Sequence, residues 1–134
     1  MEAMEASVAA LPDAMGAFPQ VAGIVMDIDM GIPFENDGLY PESTYYKPKN
    51  PGSRVTIESI GGEPFDPGKL YRIAASNFIS AGGDSYYAFR YAYKTSGIDS
   101  GKNVADAIAD YIKIGIGGKV GEEYAEPQGR ISIK

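Results

Sequence analysis

The stretch SNFISAGGDSYYAF, Ser76–Phe89, decides how the fold is read. It leaves LYRIAAS (Leu70–Ser76), in which Tyr71, Ile73 and Ala75 share one face, the period of a half-buried strand. It bends at Gly82-Gly83 and enters SYYAFRYAY, where Tyr86, Phe89 and Tyr93 recur at helical spacing and are expected in the core. Asp84 stands where a helix N-cap belongs. Glycines there let the chain turn tightly, which a residue with a Cβ resists.

Working outward, strands and helices are interspersed. VAGIVMDID, Val21–Asp29, puts Ile24, Met26 and Ile28 on one side and Val25, Asp27 and Asp29 on the other. RVTIESI, Arg54–Ile60, is a second strand, and Gly61-Gly62 is a hairpin signal. Met4, Val8 and Leu11 mark a helix over Met1–Leu11 that Pro12 ends. Between them, Gly31–Ser53 carries Pro33, Pro41, Pro48 and Pro51 and is expected to be a long surface excursion. Downstream, Asn103 caps a helix whose apolar stripe is Val104, Ile108, Tyr111 and Ile112, and GIGGK ends it. GRISI, Gly129–Ile133, closes the chain as a strand. No strict βαβ rhythm runs through this order, so the fold class is α+β: a mixed or antiparallel sheet with helices packed on it.

A chain of 134 residues suits one domain. Its net charge of −6 argues against a nucleic-acid backbone as partner. It contains neither Cys nor His, which excludes disulfides, thiolate metal sites, Cys nucleophiles and Ser-His-Asp triads. No apolar run approaches the ~20 residues of a membrane span. The start, MEAMEAS, lacks the basic and apolar regions of a signal peptide.

Three motifs invite chemistry and fail in detail. GIGGKVG, Gly115–Gly121, has Lys113 where a phosphate loop needs Gly and Val120 where it needs Ser or Thr. Asp27, Asp29 and Glu35 hint at a calcium loop, but Gly31 and Ile32 break its spacing. Tyr45 and Tyr46 could stack on a sugar or base, and packing the loop down is the favoured reading. That leaves Phe78 and Gly82-Gly83-Asp84. A plain strand-to-helix turn with a capping aspartate accounts for them. So does a ligand site, with the Phe78 ring stacking on a base and Asp84 accepting bonds from a diol. On the residues alone both readings stand.

NFISAGGDSYYAF resembles the hallmark segment of the C-terminal domain of 5′-nucleotidases, N-F-x-x-x-G-G-D-G-[YF]. GAFPQVAGI (Gly16–Ile24), the preceding EAMEASV and PQGRISI agree with that family in the same order. The resemblance implies substrate-binding roles for Phe78 (base stacking) and Asp84 (ribose diol), with Asn77, Gly82 and Gly83 shaping the loop. It implies one partial domain over 1–134, opening inside the family's domain, with a second stacking aromatic and the phosphate-binding arginines lying upstream. Catalytic residues and metal ligands are expected to be absent from this chain. A divalent metal pair is expected in an N-terminal metallophosphoesterase domain, the chain's partner. The implied role is nucleoside or nucleotide recognition in nucleotide breakdown by a phosphohydrolase outside the cytoplasm: extracellular, periplasmic or at the cell surface. No nucleic acid and no membrane span are expected, and an uncovered sheet edge is expected to drive self-association. The alternative is a non-catalytic binding or structural module of the same ancestry, recognising a sugar or a protein. Ser85, where the family usually has Gly, is expected to stiffen the turn, and Pro19 replaces the usual Leu.

Overall fold

Met26 and Ile28 are fully buried at the centre of the molecule, as the alternation of their strand requires. The computed structural model describes all residues from Met1 to Lys134. Strand β1 (Ile24–Ile28) pairs antiparallel with β4 (Val55–Ile60), setting Met26 opposite Ile57 and Ile28 opposite Val55. β4 turns through Gly61 and Gly62, both at positive φ, into the short β5 (Glu63–Pro64). β6 (Ile131–Ile133) lies parallel to β1 on its other side. The four-stranded sheet is therefore mixed, in the order β5-β4-β1-β6.

Helix α1 (Glu2–Ser7) covers this sheet with Met4 and Val8, and with Tyr86 they complete the core. It stops short of the expected Leu11. Arg54 explains where the chain goes instead: its Nη1 donates to the Val8 carbonyl at 2.9 Å and its Nη2 to the Leu11 carbonyl at 2.8 Å. A guanidinium thus takes up carbonyls that a longer helix would have bonded internally.

The 31–53 excursion is not patternless. It folds into an antiparallel ribbon of β2 (Asn36–Leu39) and β3 (Tyr46–Pro48). Every residue of β2 is exposed and Gly38 sits at positive φ, so no alternation betrays the strand. The ribbon is held by Tyr40, just past β2, and by Pro48, the last residue of β3. Tyr40 is buried and stacks on Tyr87 at 4.4 Å between ring centroids, and Pro48 is fully buried.

Leu70–Ser76, expected as a strand, is unpaired. The edge before it, β5, ends in Pro64, which has no N–H to extend a ladder. Leu70 is 97% exposed, and Tyr71 instead stacks on Phe65 and accepts a bond from the Asp66 amide at 2.8 Å.

Helix α2 (Asn77–Ser80) is a single turn capped by Ser76, and α3 (Tyr87–Ser96) follows. In α3, Tyr86 at the N-cap is buried and Phe89 half-buried, but Tyr93 is exposed. Helix α4 (Val104–Asp110) is capped by the Asn103 side chain as expected, then widens into a π-helical turn, Tyr111–Gly115. Of its expected buried stripe, Val104, Ile108 and Tyr111 are exposed and Ile112 is half-buried. The stripe's one side-chain hydrogen bond is that between the hydroxyls of Tyr111 and Tyr124, 2.8 Å apart.

Candidate functional site

Gly82 and Gly83 are glycines for different reasons. Gly82 sits at φ +95°, and a Cβ there would lie 3.1 Å from the Tyr87 backbone. It is the turn residue that seats α2 against α3. Gly83 needs to be bare because the Phe78 ring rests on it: a Cβ would meet Phe78 Cζ at 2.4 Å. The ring is nonetheless 54% exposed, so it is propped at the surface and not sealed in the core.

That ring forms one wall of an open cleft of about 690 Å³. Ala81, Gly82 and Gly83 continue the wall. Glu42, Ser43, Thr44 and Tyr45, from the tip of the β2–β3 ribbon, also line the cleft. Tyr87 and Arg90, at i and i+3 on α3, complete the lining, with the Arg90 guanidinium 5.4 Å from the Tyr87 ring centroid. The Tyr87 hydroxyl donates to the Pro41 carbonyl at 2.7 Å and pins the ribbon to the helix.

Asp84 is not an N-cap. It adopts φ +48° and Ser85 φ +70°, and α3 starts only at Tyr87, with no side-chain cap. An N-cap residue is extended, so a left-handed Asp84 does not serve as one. Its amide donates to the Tyr45 hydroxyl at 3.1 Å, which ties it to the cleft. The residue is half-buried, and its carboxylate makes no hydrogen bond within the chain. The charge of Asp84 is felt nearby: burial first, and Asp84 with it, push the Tyr86 phenol above its ordinary value. Asn77 is exposed and lies outside the cleft lining, its Oδ1 accepting from the Phe78 amide at 2.8 Å. Of the expected substrate-binding residues, Phe78, Gly82 and Gly83 line the cleft; Asp84 does not, and is joined to it through the bond of its amide to Tyr45. Asn77 shapes only the turn of α2.

Tyr87, Arg90 and the ribbon tip were not among those expected residues. The i, i+3 spacing of Tyr87 and Arg90 was a usable signal. For Glu42–Tyr45 no local pattern exists. Tyr45 closes the ribbon tip, in line with the packing use favoured for it, and also lines the cleft. The acids that hinted at calcium are separately engaged. Asp27 pairs with Lys134, Asp29 accepts from the Gly31 amide at 2.8 Å, and Glu35 lies 3.4 Å from Lys49. No three acidic side chains converge as a metal set.

A mixed sheet under helices, with a glycine bend propping an aromatic ring over a cleft, defines an α+β domain of the kind anticipated from the Asn77–Phe89 motif. Residues 1–91 match the family described as 5′-nucleotidase, C-terminal domain, and the chain belongs to that family. It is also similar to the trifunctional nucleotide phosphoesterase protein YfkN of Bacillus subtilis (strain 168), 35% identical over 96 residues. That alignment covers 68% of this chain and 5% of YfkN, so the chain spans a small part of that relative's length. No solved structure matches the chain. No helix is long and apolar enough to cross a membrane.

Proposed function

We propose that this chain is the nucleoside-recognition part of a 5′-nucleotidase-type phosphohydrolase that breaks down nucleotides. The observation that carries the reading is the exposed Phe78 ring held on Gly83 at an open cleft, one residue before an aspartate with an uncommitted carboxylate. A flat apolar ring facing water favours a stacked base, a contact worth about 1–3 kcal/mol. A free carboxylate suits the two hydroxyls of a ribose, at about 1.5–3 kcal/mol for each charged bond. Arg90 adds a cation to a chain of net charge −6 and suits an anionic ligand such as a nucleotide.

The chain contributes positioning, and phosphoryl chemistry belongs to a partner N-terminal metallophosphoesterase domain acting outside the cytoplasm. A stacked ring and one charged bond to the diol give about 2.5–6 kcal/mol gross, against an association cost of about 4–15 kcal/mol. The chain by itself is therefore expected to bind nucleosides at millimolar strength or weaker and to release no phosphate from AMP.

The test is an adenosine titration of the isotope-labelled chain by NMR. The amides of Gly82, Gly83 and Asp84 should shift, and Phe78→Ala and Asp84→Ala should each weaken binding about tenfold. Shifts confined to other surfaces, or identical titrations in both variants, would remove the reading.

A further inference from the structure

We infer that Tyr45 is a positioning residue for Asp84, and through it sets discrimination between ribose and sugars that lack the diol. The inference rests on the reading above, in which Asp84 takes the sugar hydroxyls.

Asp84 and Ser85 are consecutive residues with side chains in the left-handed region, at φ +48° and +70°. Each carries a Cβ into a conformation that only glycine adopts freely. A bend of this kind persists only where its surroundings hold it. The one side-chain hydrogen bond to either residue runs from the Asp84 amide to the Tyr45 hydroxyl, 3.1 Å away and 39 residues distant in the chain.

Tyr45 is itself well placed to act as a strut. Its carbonyl accepts from the Tyr40 amide at 3.0 Å and its amide donates to Ser43 Oγ at 3.0 Å, closing the ribbon tip. The ribbon is fastened to α3 by the Tyr40–Tyr87 stack and by the Tyr87 hydroxyl on Pro41. A closed circuit results: from Asp84 along the backbone to Tyr87, from Tyr87 to the ribbon, and from the ribbon through Tyr45 back to Asp84. A phenol at that place fixes the peptide that carries the carboxylate, beside the cleft that both Tyr45 and Phe78 line.

Tyr45→Phe keeps the ring and removes the acceptor. In the full chain, AMP binding should fall about fivefold, the equivalent of one hydrogen bond. Binding of 2′,3′-dideoxy-AMP, which offers no diol, should not change. Adding Ser85→Gly to Tyr45→Phe should restore AMP binding, because glycine takes the bend without support. A second measurement needs no ligand: hydrogen exchange of the Asp84 amide should quicken about fivefold or more in Tyr45→Phe. Equal weakening of AMP and the dideoxy analogue shows that the Tyr45 hydroxyl serves a part of the ligand that both share, and not the held carboxylate, and overturns the inference. So does unchanged protection of the Asp84 amide, whatever the nucleotides do. A wild-type chain that binds AMP and its dideoxy analogue alike sinks the reading of Asp84 as the diol acceptor. Amide exchange then decides the role of Tyr45 by itself.

Discussion

Glu5 is 1% exposed and its carboxylate gathers four donors from a single segment. The amides of Gly52, Arg54 and Val55 reach it at 3.1, 3.0 and 3.0 Å, and Ser53 Oγ at 3.2 Å. A buried charge is tolerated when it is this fully bonded, and its removal strands the donors. Glu5→Ala should lower stability by about 3 kcal/mol or more, read as a fall in the urea midpoint. Glu5→Gln, which turns one acceptor into a donor, should be costly too, by about 2 kcal/mol. A Glu5→Gln chain as stable as the parent sequence would show that the donors find other acceptors. The glycine pair separates two further outcomes. Gly82→Ala meets backbone at positive φ and should destabilise by about 1–3 kcal/mol. Gly83→Ala meets only the end of a half-exposed ring, which can swing away. It should change stability by less than about 1 kcal/mol and still weaken adenosine binding nearly as much as Phe78→Ala, since it dislodges the ring. Loss of stability without loss of binding would reverse that assignment. The sequence made Gly82-Gly83 legible as a bend and Phe78 as a ring beside it. It did not reveal that one glycine serves the backbone and the other the ring, because that distinction depends on which atoms lie above each Cα.

Secondary elements were legible where a periodic pattern met a partner. Ile24, Met26 and Ile28 alternate and their strand has neighbours on both sides, so pattern and outcome agree. Tyr71, Ile73 and Ala75 alternate just as cleanly but have no ladder to join, and pairing is not encoded in alternation. The β2–β3 ribbon fails in the opposite way: it pairs without alternation because every residue of β2 is exposed and the stacked anchors, Tyr40 and Tyr87, lie outside the strands. Strand β6 shows a third case, in which charge assists a short element. Lys134, just past β6, donates to the Asp27 carboxylate on β1. That bond holds the Asp27 carboxyl below its usual range and raises the Lys134 ammonium above its own. A depressed carboxyl contributes stability above its unfolded value and loses it as pH falls through the folded one. A raised ammonium contributes below its unfolded value and loses it as pH rises through the folded one. The pair should therefore hold β6 across the neutral range and release it in strong acid and strong alkali. Amide exchange at Ser132, whose N–H points into the ladder with β1, should be faster in Lys134→Gln than in the unaltered chain at neutral pH, and the difference should vanish in acid as Asp27 is protonated. A difference that persists after Asp27 has titrated would assign the effect to something other than this pair.

At the scale of the whole molecule, burial is uneven. The core lies in α1, β1, β4 and the start of α3, while residues from Tyr91 to Gly129 are almost all exposed. Helix α4 is the clearest case. A segment as short as Val104–Asp110 is marginal in water unless one face is packed, and its stripe of Val104, Ile108 and Tyr111 faces solvent with Ile114 beyond it. The sheet edges offer little to a second copy, since β5 ends in proline and β6 has three residues. The apolar stripe is thus the better route to the self-association that an uncovered edge was expected to drive. Association through it must overcome repulsion between chains of net charge −6. Two consequences separate it from association through charged contacts. Raising salt screens that repulsion, so the association should strengthen between low salt and ~150 mM, where the Debye length is about 8 Å. Ile108→Lys should weaken it at every salt concentration and leave the NMR signals of the body, including Tyr86, in place. Sedimentation velocity over a range of protein concentrations reads both. Association that weakens with salt would point to opposite charges in contact, and a chain that stays monomeric at high concentration and high salt would mean that α4 is tolerated in water with its apolar face uncovered.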